Sequence, residues 1–214
     1  MPNELAPRGE TAIYGESLWA NFVAEQLKFE LFEPPLDWLS TLPHQLPRRK
    51  VEFCTLEAAR QKSFPIFLKP AGEKEFEARV YASPDDLPAD ESQQLQPVLR
   101  SEVVNWEVEY RCFVREGRVE TASSYWRGEV STRDENGTYP SPPDELNAAT
   151  ELVEQLLRHQ EHGFSFGSRG VVVDVGLIRG ADWAVIEANP AFASGIYGCD
   201  PQKVLSVVAS CLSR

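Results

Sequence analysis

No apolar run in this sequence reaches the ~18 residues that a membrane-spanning helix needs, so a membrane protein is not expected. Basic residues are in deficit. There are 21 Lys and Arg against 33 Asp and Glu, a formal net charge of −12. A protein that holds nucleic acid through its phosphates is normally basic, so that class is set aside. A small anionic ligand stays open, held by a few placed Lys and Arg against the overall field. The four cysteines, Cys54, Cys112, Cys199 and Cys211, show no Cys-x-x-Cys spacing and no His at zinc-finger distance. That excludes a disulfide scaffold and a structural zinc site, and reads as reduced, mostly buried thiols in a cytoplasm. The first ten residues are polar and acidic, unlike a secretory signal or a transit peptide, so a cytoplasmic location is expected.

What remains is an ordinary globular composition, 42% apolar and 25% charged over 214 residues, enough for a real core. Ser17 to Phe29 carries Leu18, Trp19, Phe22, Val23 and Leu27 at helical spacing. Phe32 to Pro47 holds four prolines and reads as irregular, and Leu56 to Lys62 as a short helix. From Ser63 the texture changes to strands. Phe64 to Lys69 and Glu75 to Tyr81 read as a pair, Val98 to Val104 as a strand. Glu109 to Arg115 and Arg118 to Trp126 read as a hairpin about Glu116-Gly117. Arg127 to Pro143 is polar and long for a connection, and is expected to be either a mobile lid or a disordered excursion. Asp144 to His159 is a helix, Val171 to Ile178 and Trp183 to Ala188 a second hairpin, and Asp200-Pro201 opens a last helix. The total is an α+β pattern with a largely antiparallel sheet. Residues 1–62 are expected to form an N-terminal region and residues 63–214 the main domain.

The second hairpin carries the sharpest chemistry. A turn at Arg179 to Asp182 sets Ile178 opposite Trp183 and Asp174 opposite Glu187, with Asn189 on the same face. Opposed carboxylates repel unless one takes a proton or a cation lies between them. An all-oxygen set of Asp174, Glu187 and Asn189 suits magnesium. The alternative is a polar face turned to solvent, and the residues alone leave both open. If repulsion dominates, removing one carboxylate leaves the fold as stable or more so. Lys69 ends an apolar strand, where a lysine meets phosphate as a point charge or simply faces water. Lys74 and Arg79 follow it, and Glu109 shares a face with Arg111.

Together these residues resemble the ATP-grasp superfamily, in particular its small bacterial members noted for a conserved arginine and lysines. Asp174, then Glu187-Ala188-Asn189-Pro190, is similar to the family's metal signature. Ser63 to Pro70 resembles its phosphate-binding lysine strand, ending in Lys69. Ser101-Glu102-Val103-Val104 resembles the linker that meets adenine, and Glu109 the ribose-binding glutamate. The resemblance implies two α+β lobes gripping ATP, with magnesium or manganese at Asp174, Glu187 and Asn189. It implies Lys69, Lys74, Glu102, Val104, Glu109 and Arg111 around the nucleotide. It further implies a ligase that joins a carboxylate to an amine, small molecules or a peptide, through an acyl-phosphate, with Arg111 and Lys74 assisting transfer. No Ser, Cys or His nucleophile is required, which suits a sequence whose His44, His159 and His162 fall in loops or at a helix end. Three departures stand out. The segment after Lys69 has one glycine, Gly72; Val172 stands where many ligases have arginine; and the N-terminal region is short. These departures also admit a non-catalytic module that binds ATP and magnesium.

Overall fold

The computed structural model describes residues 11–72, 75–159 and 166–213. Residues 1–10, Lys74 and His162, about which the sequence raised expectations, lie outside them. The chain divides into two compact units, one made of Pro35–Asn105 and the other of Met1–Pro34 with Trp106–Arg214.

The smaller unit is a four-stranded antiparallel sheet in the order β2 (Val51–Thr55), β5 (Pro97–Ser101), β3 (Ile66–Pro70), β4 (Arg79–Tyr81). Alternation in β3 buries Ile66, Leu68 and Pro70 and leaves Phe67 and Lys69 half-exposed on the other face. Ile66 and Leu68 join Leu56, Ala59, Tyr81, Leu87 and Val98 in one core. The short helix α3 (Leu56–Arg60) follows β2 without a break, its first turn held by the Thr55 side chain, which accepts from the Ala58 amide. Helix α2 (Trp38–Thr41) interrupts the proline-rich stretch expected to be irregular. Two strand expectations are corrected. β2 was not anticipated, and β4 covers three residues rather than Glu75 to Tyr81.

The larger unit is built on a five-stranded antiparallel sheet in the order β10 (Trp183–Pro190), β9 (Val171–Ile178), β6 (Trp106–Arg115), β7 (Arg118–Arg127), β8 (Val130–Ser131). The β6–β7 hairpin turns at Glu116 (φ 53°) and Gly117 (φ 73°), the pair of positive angles that matches strand twist. Helix α4 (Pro143–Arg158) packs Ala149, Leu152, Val153 and Leu156 over β6, β7, β9 and β10. Helix α1 (Ser17–Leu27), the turn Ala191–Ala193 and helix α5 (Pro201–Ala209) share a second core with Phe113 and Val172. Asp200 caps α5 by accepting from the Gln202 and Lys203 amides. Helix α1 keeps Val23 and Leu27 of its expected apolar face against the core but turns the rest outward. It buries Ala20 and Ala24 and leaves Leu18, Trp19 and Phe22 exposed, because small residues let the helix backbone approach the core. Strands β1 (Glu30–Leu31) and β11 (Leu212–Ser213) tie the two ends of this unit together.

The segment from Arg127 to Pro143 is structured rather than free. β8 pairs with Trp126 and Arg127. Asp134 accepts from the Asn136 and Thr138 amides and the Thr138 hydroxyl. The Ser124 hydroxyl donates to the Pro140 carbonyl, 2.8 Å away. Local hydrogen bonds here do the ordering that the segment's sparse apolar surface cannot. Among the described residues no helix is long and apolar enough to cross a membrane.

Candidate functional site

Three neighbouring strands of the larger unit bring Glu109, Arg111, Asp174, Glu187 and Asn189 to one sheet face. The expected pairing of Asp174 with Glu187 is present, but the turn does not set it. Trp183 faces Leu177 and Val185 faces Val175, one position away from the expected register. A bulge at Ile186 then shifts β10, so that Glu187 faces Asp174 and Asn189 faces Val172. From the other side, β6 places Arg111 directly opposite Asp174. The middle strand therefore carries its carboxylate between a carboxylate and a guanidinium.

The guanidinium takes the carboxylate in a two-pronged grip. Arg111 Nε donates to Asp174 Oδ1 at 2.9 Å, and the second terminal nitrogen donates to Oδ2 at 2.7 Å. This fork geometry is among the stronger polar contacts proteins make. The remaining terminal nitrogen donates to the Gly195 carbonyl at 3.2 Å. Asn189 Nδ2 donates to Asp174 Oδ2 at 3.1 Å and to Glu187 Oε1 at 2.8 Å. The Asp174 side chain has 0% exposure and that of Arg111 10%. Burial pushes the Asp174 carboxyl up, against the pull of Arg111. Burial would also loosen the Arg111 proton, but Asp174 outweighs it and holds the guanidinium charged. The pair is thus a buried ion pair whose two partners depend on each other.

Tyrosines close around this pair. A second bulge, at Tyr125 of β7, lies between the pairs Glu109–Trp126 and Tyr110–Ser124. The Tyr125 hydroxyl donates to Glu109 Oε2 at 2.7 Å. Its ring stacks on Tyr197, with centroids 4.9 Å apart and planes 15° from parallel. The Arg111 guanidinium carbon lies 5.4 Å from the Tyr125 centroid and 5.0 Å from that of Tyr197. Tyr197 holds a left-handed φ of 47°, and Tyr139 meets it edge-on. Gly198 lets this loop settle, since a Cβ there would stand 2.6 Å from Ser123 Oγ and 2.7 Å from Tyr139 Cβ. Tyr14 reaches the same loop by donating to the Ser194 carbonyl at 2.7 Å. Burial raises the Glu109 carboxyl above the ordinary range despite the Tyr125 hydrogen bond, with Asp174 and Glu187 adding to it. Tyr125, Tyr197 and Tyr14 belong to no motif of their own, although Tyr197 stands between Gly195 and Gly198 just after Glu187-x-Asn189. A bulge and a left-handed residue place the first two.

The donor chemistry of Glu187 and Asn189 fits magnesium, since both are half-buried and offer oxygen. Asp174 differs, because both of its oxygens already accept hydrogen bonds, Oδ1 from Arg111 and Oδ2 from Arg111 and Asn189. Among the described residues no group of three or more His, Cys, Asp or Glu converges in a metal-holding arrangement.

The smaller unit holds the other expected residues. Lys69 lies at the end of β3 on the face away from the core, paired in register with Leu99. β5 stops at Ser101, short of the expected Val104, and Glu102 bonds to Lys50, the residue before β2. Its carboxylate accepts from the Lys50 amide at 2.8 Å, and its own amide donates to the Lys50 carbonyl at 3.1 Å. Val104 is half-buried in the irregular stretch that follows.

Comparison with known proteins identifies the family of the domain. A search of curated sequences gives no match. Among solved structures, the ATP-grasp ligase PsnB with a precursor peptide and AMPPNP is 18% identical, with a TM-score of 0.48, over 76% of this chain and 49% of that one. The chain thus spans about half the length of PsnB. D-alanine–D-alanine ligase from Bacillus anthracis with ATP is 14% identical, with a TM-score of 0.45, over 78% of this chain and 62% of that one. L-amino acid ligase from Bacillus licheniformis is 15% identical, with a TM-score of 0.46, over 80% and 45%. The family model for the ATP-grasp domain, R-two-K clade, family 2, matches residues 46–207, well over half of the sequence. With an α+β fold and the Asp174, Glu187-x-Asn189 set on one sheet face, the chain belongs to the R-two-K clade of ATP-grasp domains.

Proposed function

We propose that the protein binds ATP and uses it to join a carboxylate to an amine. The observation that carries this reading is the gathering of Glu109, Arg111, Asp174, Glu187 and Asn189 on one sheet face inside an ATP-grasp domain. In the proposed reaction a substrate carboxylate oxygen attacks the γ-phosphorus of ATP. A C–O–P linkage forms and the bond to the departing ADP breaks. The amine nitrogen then attacks the acyl carbon, phosphate leaves, and the nitrogen gives up a proton.

Such chemistry needs placement and charge more than a protein nucleophile. Lys69 supplies a point charge for the phosphate chain, with Lys74 following it in sequence. Glu102 and Val104 meet the base, and the Glu109 carboxylate accepts from ribose hydroxyls. Arg111 offers fixed positive charge where negative charge develops on the transferring group. Its grip on Asp174, its bond to Gly195 and its two tyrosine faces hold the guanidinium in place before substrate arrives. Magnesium held through Glu187 and Asn189 would neutralise phosphate charge. The substrates are a carboxylate and an amine, as small molecules or on a peptide.

The test is ADP release from ATP and magnesium with pooled amino acids and small carboxylates. Release that depends on the pool and is lost in Glu187→Gln supports ligation. A second reading, nucleotide binding without turnover, is favoured by the grip of Arg111 on both Asp174 oxygens and by the lone Gly72 after Lys69. It predicts that ATP raises the melting temperature while no pool releases ADP. If ATP produces neither a shift nor ADP, both readings fail.

A further inference from the structure

We propose that Arg111 is the resident cation of the Asp174–Glu187 pair, so that Asp174 serves as counter-ion to a fixed guanidinium and not as a ligand of a divalent cation. The inference concerns residues of the site just described but does not rest on ATP turnover, and its test uses protein without nucleotide.

Four observations converge on it. First, both Asp174 oxygens lie within hydrogen-bond distance of Arg111 nitrogens, 2.9 and 2.7 Å, in the fork arrangement that uses a carboxylate's full width. Second, the Asp174 side chain has no exposed surface. Magnesium binds oxygen at about 2.0–2.1 Å and keeps several waters, so it needs an approach that Asp174 does not offer. Third, Asn189 turns its NH2 toward both carboxylates, 3.1 and 2.8 Å away. That orientation follows from the hydrogen-bond network, and it suits carboxylates already neutralised from within. Fourth, the guanidinium is not free to swing aside. It is tied to the Gly195 carbonyl and lies against the rings of Tyr125 and Tyr197. Releasing Asp174 to a metal would break all of these contacts together and leave a buried charge unpaired.

The strand order gives the same answer. Two opposed carboxylates on β9 and β10 need a cation, and β6 delivers one to Asp174 from the strand on its other side. Glu187 and Asn189 stand half-buried on the edge strand β10, on the other side of Asp174 from Arg111.

Manganese, followed by the loss of the free-ion EPR signal, tests this in the nucleotide-free full chain. The wild type and Asp174→Asn are expected to bind Mn2+ within threefold of each other. Arg111→Met is expected to bind it at least tenfold more tightly than wild type, because the metal then replaces the missing guanidinium. Because either single variant can fail to fold, a stability cycle runs beside the titration. Arg111→Met and Asp174→Leu should each lower the melting temperature, and the double variant should recover most of the summed loss. Mn2+ should raise the melting temperature of Arg111→Met more than that of wild type. The proposal is overturned if Asp174→Asn weakens Mn2+ binding tenfold or more, or if the losses in the cycle simply add. It is also overturned if Mn2+ stabilises wild type as much as Arg111→Met.

Discussion

Asp174 touches a guanidinium on one side and lies opposite a carboxylate on the other, and the guanidinium is the counter-charge that works against the cost of its burial. Considered with Glu187 alone, Asp174 is a repulsive neighbour whose removal costs nothing. With Arg111 in place the expectation reverses. Asp174→Asn leaves the buried guanidinium without its counter-charge, a loss of about 3–5 kcal/mol by analogy with other broken buried pairs. Urea unfolding checks this, and an unchanged midpoint would mean that the pair contributes nothing to the fold. Glu109 gives a pH-dependent prediction. Burial raises its carboxyl above the ordinary range, so the fold favours the neutral form. That contribution is fully present below the ordinary carboxylate range and is lost as pH rises through the raised value. Glu109→Gln is neutral at every pH and keeps an oxygen to accept from Tyr125. Its stability relative to wild type should therefore grow as pH rises from the ordinary carboxylate range and level off above the raised value. A difference that stays flat across this range would show that Glu109 titrates like a solvated carboxyl.

Elements meet at points where one atom decides the fit. Gly170, at the entry to β9, has α5 against it, and a Cβ there would stand 2.1 Å from the Val207 carbonyl oxygen. Backbone cannot yield as a side-chain tip does, so Gly170→Ala should destabilise by about 1–3 kcal/mol, the cost of overpacking. Thermal melts would show it, and wild-type stability would mean that α5 shifts freely. The connection from β8 to α4 depends instead on one carboxylate. Asp134 accepts three hydrogen bonds from Asn136 and Thr138. Asp134→Ala should speed limited proteolysis between Thr132 and Pro140 several-fold while leaving the global melt within about 0.5 kcal/mol, as for surface changes. Unaltered cleavage would place the ordering in β8 and in the Ser124 bonds to Pro140 and Ser141.

The molecule as a whole carries a net charge of −12, so an anion such as ATP is held by placed cations or not at all. Lys69→Ala should therefore weaken ATP more than AMP by about tenfold, the worth of one charge-assisted contact near 1.4 kcal/mol. Equal weakening in calorimetric titrations of the two nucleotides would remove Lys69 from the phosphate site. Much of the architecture was legible locally. The β6–β7 hairpin follows from alternation about Glu116-Gly117, helix α4 from its apolar spacing, and α5 from Asp200-Pro201. The Asp174, Glu187-x-Asn189 order was legible as a motif, as were Arg111 and Glu109 as neighbours on one strand face. The sequence alone therefore determined the α+β class, the main hairpins and the residue types that meet. Tertiary structure decided the rest, because strand order and bulges are not encoded by spacing within one segment. The bulge at Ile186, not the turn, set Glu187 against Asp174, and the bulge at Tyr125 accompanies its bond to Glu109. The pairing of β6 with β9, strands more than 50 residues apart, placed Arg111 on Asp174 and turned an expected repulsion into a buried ion pair.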